Sequence, residues 1–132
     1  MIGIIIATHG RFSEEIVRSA ELIAGPAKNV KALTLERADN IEDFNDRFVK
    51  SIKELDEGDG ILVFTDLLGG SPCNVSNMNM KRYKFQAITG VNFPMLMEAI
   101  MLRENDITIE ELAEKCLKMG KEGIIHLNKM LK

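Results

Sequence analysis

Ile2-Gly3-Ile4-Ile5-Ile6-Ala7-Thr8 decides the fold, and His9-Gly10 follows it directly. The run is short, apolar and β-branched, without alternation of polar residues. A strand with one face in water would alternate. This one reads as buried on both faces, the pattern of a parallel sheet covered by helices. Phe12 to Ala24 follows with helical spacing, placing Ile16, Val17, Ala20, Ile23 and Ala24 on one face. Ser13 is the expected N-cap, and Gly25-Pro26 stops the helix. Asn29 to Leu35 reads as a second strand, and Asn40 to Leu55 as an amphipathic helix with Ile41, Phe44, Phe48, Ile52 and Leu55 on one side. Gly58-Asp59-Gly60 turns the chain into a third buried strand, Ile61-Leu62-Val63-Phe64-Thr65, which ends at Asp66.

Beyond Asp66, Leu67 to Ser71 is a loop, and Pro72 suits the first turn of a helix reaching Arg82. Phe85 to Thr89 is a fourth strand and Gly90 to Phe93 a loop. Pro94 opens a helix through Leu102, and Thr108 to Met119 forms another. Gly120 and Gly123 bracket a linker, after which Gly123 to Asn128 reads as a last short strand. Strand–helix alternation specifies an α/β sandwich with a mostly parallel sheet, and right-handed crossovers leave few topologies. In such sheets function gathers on loops after the carboxyl ends of strands. Three loops therefore share one rim: Thr8 to Arg11, Thr65 to Ser71, and Gly90 to Phe93.

Composition narrows the possibilities. The 132 residues suit one domain spanning the whole chain, large enough for a core without metal or disulfide staples. A net charge of −3 gives no sign of general nucleic-acid binding. No apolar run approaches ~20 residues, and the N-terminus has neither a basic leader nor a small-residue cleavage site. Cys73 and Cys116 are too few for a disulfide scaffold and lack metal-site spacing, so the expected compartment is reducing cytosol. Asp39, Asp43 and Asp46 read as a solvated helix face, and no metal or cofactor is expected. There are no repeats, low-complexity tracts or interdomain linkers.

The rim carries the chemistry. His9 ends the first strand, and Gly10 permits a sharp turn that leaves one side of the imidazole open. A neutral imidazole is an available nucleophile near neutral pH. Asp66 ends the third strand; if the first and third strands are neighbours, it flanks the same crevice. A carboxylate bonded to one ring nitrogen fixes the tautomer and leaves the other as the attacking lone pair. Each residue also has a plain structural reading, His9 as a packed turn histidine and Asp66 as a turn cap. Gly69-Gly70-Ser71-Pro72 places glycines before a helix start, where backbone N–H groups and the helix dipole favour an anion. Ser71 adds a hydroxyl, and Thr8 and Thr65 are further candidate donors. Neither a Walker A loop nor a dinucleotide fingerprint is present. His9, Asp66 and a phosphate pocket at Gly70 and Ser71 suit transfer of a phosphoryl group onto nitrogen.

Ile-Ile-Ala-Thr-His9-Gly, Asp66-Leu-Leu-Gly-Gly-Ser71-Pro-Cys-Asn74 and Gly90-Val-Asn92-Phe-Pro94-Met resemble the mannose-family enzyme IIA component of the bacterial sugar phosphotransferase system. The resemblance covers essentially the whole chain, and the ordered set is more specific than any one motif. It implies that His9 accepts a phosphoryl group, through Nε2, from the phosphocarrier HPr and passes it to a histidine of a IIB component. IIB would then phosphorylate sugar arriving through a membrane IIC/IID permease. Asp66 would orient His9, and Gly70 and Ser71 would hold the phosphate. With the resemblance, the expected architecture is a three-layer α/β sandwich of strand order 2-1-3-4. A short antiparallel C-terminal strand, Gly123 to Asn128, would be exchanged between the protomers of a homodimer. His126 would then be a strand residue, not a ligand.

One departure is that Leu67 and Leu68 stand where family members often carry an aromatic. They form either an apolar docking rim or part of the core. Arg11 reads as a solvated surface residue, the methionines as adaptable core filling, and Cys73 as a small packing residue. Lys81, Arg82 and Lys84 form a basic cluster near a helix end and are assigned no role. Within the same chemistry, the alternative is a donor for dihydroxyacetone phosphorylation. Outside it stand a Ser71/His9/Asp66 hydrolase, an Asp66 phosphoacceptor of receiver type, and a non-catalytic binding module. The hydrolase lacks a nucleophile elbow, and the receiver lacks paired acids after the first strand.

Overall fold

The structure, a computed structural model, describes residues 1–131. Four parallel strands, β1 (Gly3–His9), β2 (Val30–Leu35), β3 (Ile61–Thr65) and β4 (Gln86–Ile88), form one sheet in the order 2-1-3-4. The helices are α1 (Phe12–Ala24), α2 (Ile41–Leu55), α3 (Ser71–Asn79), α4 (Phe93–Leu102) and α5 (Ile109–Glu122).

The pleat of β1 explains why its sequence does not alternate. Ile4 and Ile6 point into a core shared with Ile16 and Ala20 of α1, Leu96 of α4 and Leu112 of α5. Ile5 and Ala7 point to the other side, against Phe44, Phe48 and Ile52 of α2 and Val75 of α3. Both faces are covered, so every position from Ile2 to Thr8 is buried. By the same period of two, His9 continues the Ile5–Ala7 side, toward α2 and α3.

Topology places the site. The chain leaves β1 through α1 to β2 on one flank, then returns through α2 to β3 on the other. Strand order reverses between β1 and β3, and Ala7 pairs with Thr65 in that register. His9 and Asp66 therefore emerge side by side at the carboxyl end of the switch point.

Local chemistry sets the element ends. Asn40, Asn92 and Thr108 cap α2, α4 and α5 by accepting the N–H of Asp43, Met95 and Glu111. Ser13, expected as an N-cap, lies inside α1; Arg11 occupies the cap position without a capping side chain. The cap comes from Thr8, whose Oγ1 accepts the Ser13 N–H at 2.8 Å, while Ser13 Oγ donates to the Leu33 carbonyl at 2.8 Å. Ile23 and Ala24 extend the apolar spacing of α1 but are exposed, because no element among the described residues covers its last turn. The α3 helix stops at Asn79, short of Arg82, and the Asn79 amide donates to the Val75 carbonyl and to Asn45 Oδ1. The α5 helix runs through Gly120 to Glu122, past the expected linker. A Cβ at Gly120 would lie 2.5 Å from Met95 Cε, so the bare backbone lets α5 close on α4.

The expected last strand is absent among the described residues. Gly123 caps α5, 124–126 have no regular structure, and Leu127–Met130 form a 3-10 turn. A strand needs an edge to pair with, and within this chain the segment reaches none. Ile124, Ile125 and Leu127 are left exposed.

Candidate active site

Gly10 takes φ +57°, turning the chain sharply off the end of β1 while its N–H donates to the Leu35 carbonyl. The turn leaves His9 at the rim with its side chain about half exposed, at 47%. Asp66 is more enclosed, and one of its oxygens, Oδ2, holds His9 twice. It accepts the His9 backbone N–H at 2.9 Å and lies 3.0 Å from Nδ1. The other oxygen, Oδ1, accepts the Leu67 N–H at 2.9 Å. Partial burial pushes the Asp66 carboxyl up. The hydrogen bonds from the His9 backbone and ring, with the ring's positive charge when protonated, outweigh this and hold it below its ordinary range. An ionised acceptor opposite Nδ1 selects the tautomer protonated there and leaves the Nε2 lone pair free.

The β3–α3 loop closes on the other edge of the ring. Gly69 turns with φ +81°, and Asn74 Nδ2 holds its carbonyl at 3.3 Å. Gly70 occupies the N-cap position of α3 in extended backbone, with φ −75° and ψ 167°. Its N–H is taken by the Leu67 carbonyl at 3.1 Å. Pro72 has no N–H, so the first-turn donors of α3 without intrahelical acceptors are those of Ser71 and Cys73. Ser71 is half-buried at the head of the helix.

The structure thus brings together His9, Asp66, Gly70 and Ser71. It places Thr8 and Thr65 beneath the rim, at 0% and 2% exposure, with the Thr8 hydroxyl already engaged by α1. Leu67 and Leu68 point outward, at 61% and 77% exposure, so they do not fold onto the core. Arg11 is exposed, and its Nε donates to Glu36 at 3.2 Å. Cys73 is buried, and among the methionines Met95 fills the core whereas Met78, Met80 and Met101 are exposed. His126 is exposed on the C-terminal segment. Sequence reading gave Ser13 a different role and left two supports unassigned, Asn74 and Asn92. The last caps α4 and also donates to the Gly120 carbonyl at 2.9 Å, anchoring α5 beside the third rim loop. The spacing of Asn74 behind Gly-Gly-Ser-Pro was the available signal for its role. No group of three or more potential metal ligands occurs among the described residues.

The family model for the phosphotransferase-system fructose IIA component, EIIA-man, matches residues 3–117. The chain belongs to the EIIA-man family. Its sequence is 33% identical over 124 residues to the mannose-specific EIIAB component of Escherichia coli K12, covering 93% of this chain and 38% of that protein. The chain thus spans little more than a third of the length of that relative. The fructose-specific EIIA component of Bacillus subtilis is 26% identical over 93% of this chain and 84% of its own length. Among solved structures, a phosphotransferase-system EIIA component from Streptococcus agalactiae superposes with a TM-score of 0.89 at 33% identity, covering 98% of this chain and 99% of that one. The IIA protein associated with the fucose utilization operon of Streptococcus pneumoniae gives 0.85 at 30%, covering 98% and 96%. No helix of this EIIA-man protein is long and apolar enough to cross a membrane among the described residues.

Proposed function

We propose that the chain, as one IIA domain over residues 1–132, is a cytoplasmic phosphocarrier in which His9 Nε2 accepts a phosphoryl group from phospho-HPr and yields it to a histidine of a IIB component. Sugar entering through a IIC/IID permease would be the final acceptor. The observation that carries this reading is the fixed ring: Nδ1 lies 3.0 Å from Asp66 Oδ2 while the imidazole stays half exposed.

In the forward step the Nε2 lone pair attacks phosphorus, and the donor's P–N bond breaks with its electron pair returning to the donor nitrogen. His9 keeps the Nδ1 proton and becomes positively charged, and Asp66 stabilises that charge. The Ser71 N–H and hydroxyl and the Cys73 N–H, at the positive end of α3, are the donors for the phosphoryl oxygens. The return step to IIB reverses these roles. The exposed Leu67 and Leu68, which follow Asp66 on the same loop, supply apolar contact for both protein partners in turn. The C-terminal segment from Gly123 to Asn128 forms its strand only against a second copy, making a homodimer.

The test is incubation with enzyme I, HPr and phosphoenolpyruvate, followed by mapping of the labelled residue. Acid-labile, comparatively alkali-stable label on His9 is expected, and label elsewhere or none at all defeats the assignment. Sedimentation at micromolar concentration tests the dimer, which a monomeric profile would exclude.

A further inference from the structure

The two adjacent glycines of the β3–α3 loop are required for different reasons. Gly69 has φ +81° and open space around it, so its need is conformational. Gly70 has an ordinary backbone, with φ −75° and ψ 167°, that any residue adopts without strain. Its need is space, since a Cβ there would lie 2.7 Å from His9 Cε1 and 3.5 Å from Nε2. Gly70 is also not a free phosphate donor, because its N–H is bonded to the Leu67 carbonyl.

We propose that Gly70 is a positioning residue for His9: its bare α-carbon is the wall against which the Cε1–Nε2 edge of the imidazole rests, while Asp66 holds Nδ1. Between the two, the ring has one orientation, with Nδ1 on the carboxylate and Nε2 clear for phosphorus. A methyl at Gly70 requires the ring to retreat about 0.7 Å to reach ordinary contact. A half-exposed side chain has room to retreat toward solvent, and doing so lengthens the 3.0 Å bond to Asp66. The same methyl would lie beside Nε2 and narrow the approach of phosphorus. The inference rests on the phosphoryl-relay reading of His9.

Helix chemistry supplies a test that separates positioning from stability. Gly70 is the N-cap of α3, and serine is a better N-cap than glycine. Gly70→Ser should therefore melt at or above the wild-type temperature while losing activity, and Gly70→Ala should lose it too. Both variants are assayed for phosphorylation of His9 by phosphoramidate, a small donor with no docking surface, and by phospho-HPr. The imidazole nitrogens are followed by NMR across a pH titration. The expected result is a fall on the order of a hundredfold with both donors, with the His9 ring shifting from one tautomer to a mixture. Wild-type rates with either variant overturn the proposal. So does a loss confined to phospho-HPr, which would make Gly70 a docking contact. If wild-type protein takes phosphate on His9 from neither donor, the relay reading fails instead. The tautomer comparison still decides Gly70, because an unchanged ring spectrum in Gly70→Ser rejects the positioning role.

Discussion

Replacing Asp66 by asparagine keeps the shape of the side chain and changes only which atoms accept. In the wild type both carboxylate oxygens are acceptors: Oδ2 serves the His9 backbone N–H and Nδ1, and Oδ1 serves the Leu67 N–H. An amide has one such oxygen. Placed at the Oδ2 position, it retains His9, but its NH2 then opposes the Leu67 N–H. Placed at Oδ1, it retains Leu67, but its NH2 opposes the His9 N–H and donates to Nδ1. That forces the proton onto Nε2 and removes the attacking lone pair. Either arrangement loses a charge-assisted hydrogen bond, worth ~1.5–3 kcal/mol, and solvent access to the ring favours the lower end. Transfer from phospho-HPr should therefore slow by about tenfold to a hundredfold, at ~1.4 kcal/mol per tenfold. Rapid-quench measurement of His9 labelling gives the rate, and imidazole nitrogen NMR reports the tautomer. Asp66→Ala, which neither accepts nor donates, should leave the tautomer unconstrained, whereas Asp66→Asn should fix the one its amide orientation selects. Wild-type transfer in both variants would remove Asp66 from the mechanism. Equal tautomer populations would refute the acceptor-counting argument even if transfer slowed.

His9→Ala should abolish labelling by phospho-HPr while leaving the circular dichroism spectrum and melting temperature near wild type, since the ring lies at the rim and not in the core. The double change Leu67→Ser, Leu68→Ser should raise KM for phospho-HPr about tenfold with little effect on kcat or on phosphoramidate labelling; equal KM values would show that the exposed leucines do not dock. Because the folded Asp66 carboxyl is held below its ordinary range, its stabilisation is present above pH ~4 and lost as pH falls through the lower folded value. Carbon NMR titration should place its midpoint below the ordinary aspartate value, and the stability gap between wild type and Asp66→Ala should close only in that acid range. Burial, helped by Glu98, pushes the Cys116 thiol up to about 12, so native protein should resist alkylation there at neutral pH and react only on unfolding. Phe48, fully buried and edge-on to Phe85, should cost ~3–5 kcal/mol when changed to alanine, read from urea unfolding.

What could be read in advance follows from whether the cause is local. The β1 run was legible because burial on both faces removes alternation, a property of the run itself. The Asn40 start of α2 and the Thr108 start of α5 were legible for the same reason, their side chains bonding residues three positions on. The position of His9 beside Asp66 followed from chain order and crossover handedness, given neighbouring strands. Ser13 was misassigned because its partners are nonlocal: the Thr8 hydroxyl reaches it only around the Gly10 turn, and the Leu33 carbonyl belongs to β2. The two glycines look alike in sequence, and only the packed ring distinguishes the one needed for its φ from the one needed for space. The β-branched pair Ile124-Ile125 suggests a strand, but propensity names no edge to pair with, and among the described residues the segment pairs with neither edge strand, β2 or β4. Leu67 and Leu68 stayed ambiguous because apolar character alone cannot say whether a loop residue folds in or out.

The openness of the site follows from the proposed reaction. Phosphorus that arrives on one protein and leaves on another must reach the same nitrogen from solvent, so a ring sealed in a cavity could not serve. An exposed histidine, however, ordinarily samples several rotamers and both tautomers, and each unproductive state slows transfer. The fold resolves this conflict by bracing the ring along its edges without covering it. The end of β1 fixes the backbone of His9, Asp66 grips both its N–H and Nδ1, and Gly70 lies against Cε1. The two N–H bonds from His9 and Leu67 also keep the Asp66 carboxylate charged before any phosphate arrives. The negative charge that a phosphorylated His9 would need is therefore in place in the resting protein, and little reorganisation would be left to the proposed transfer step.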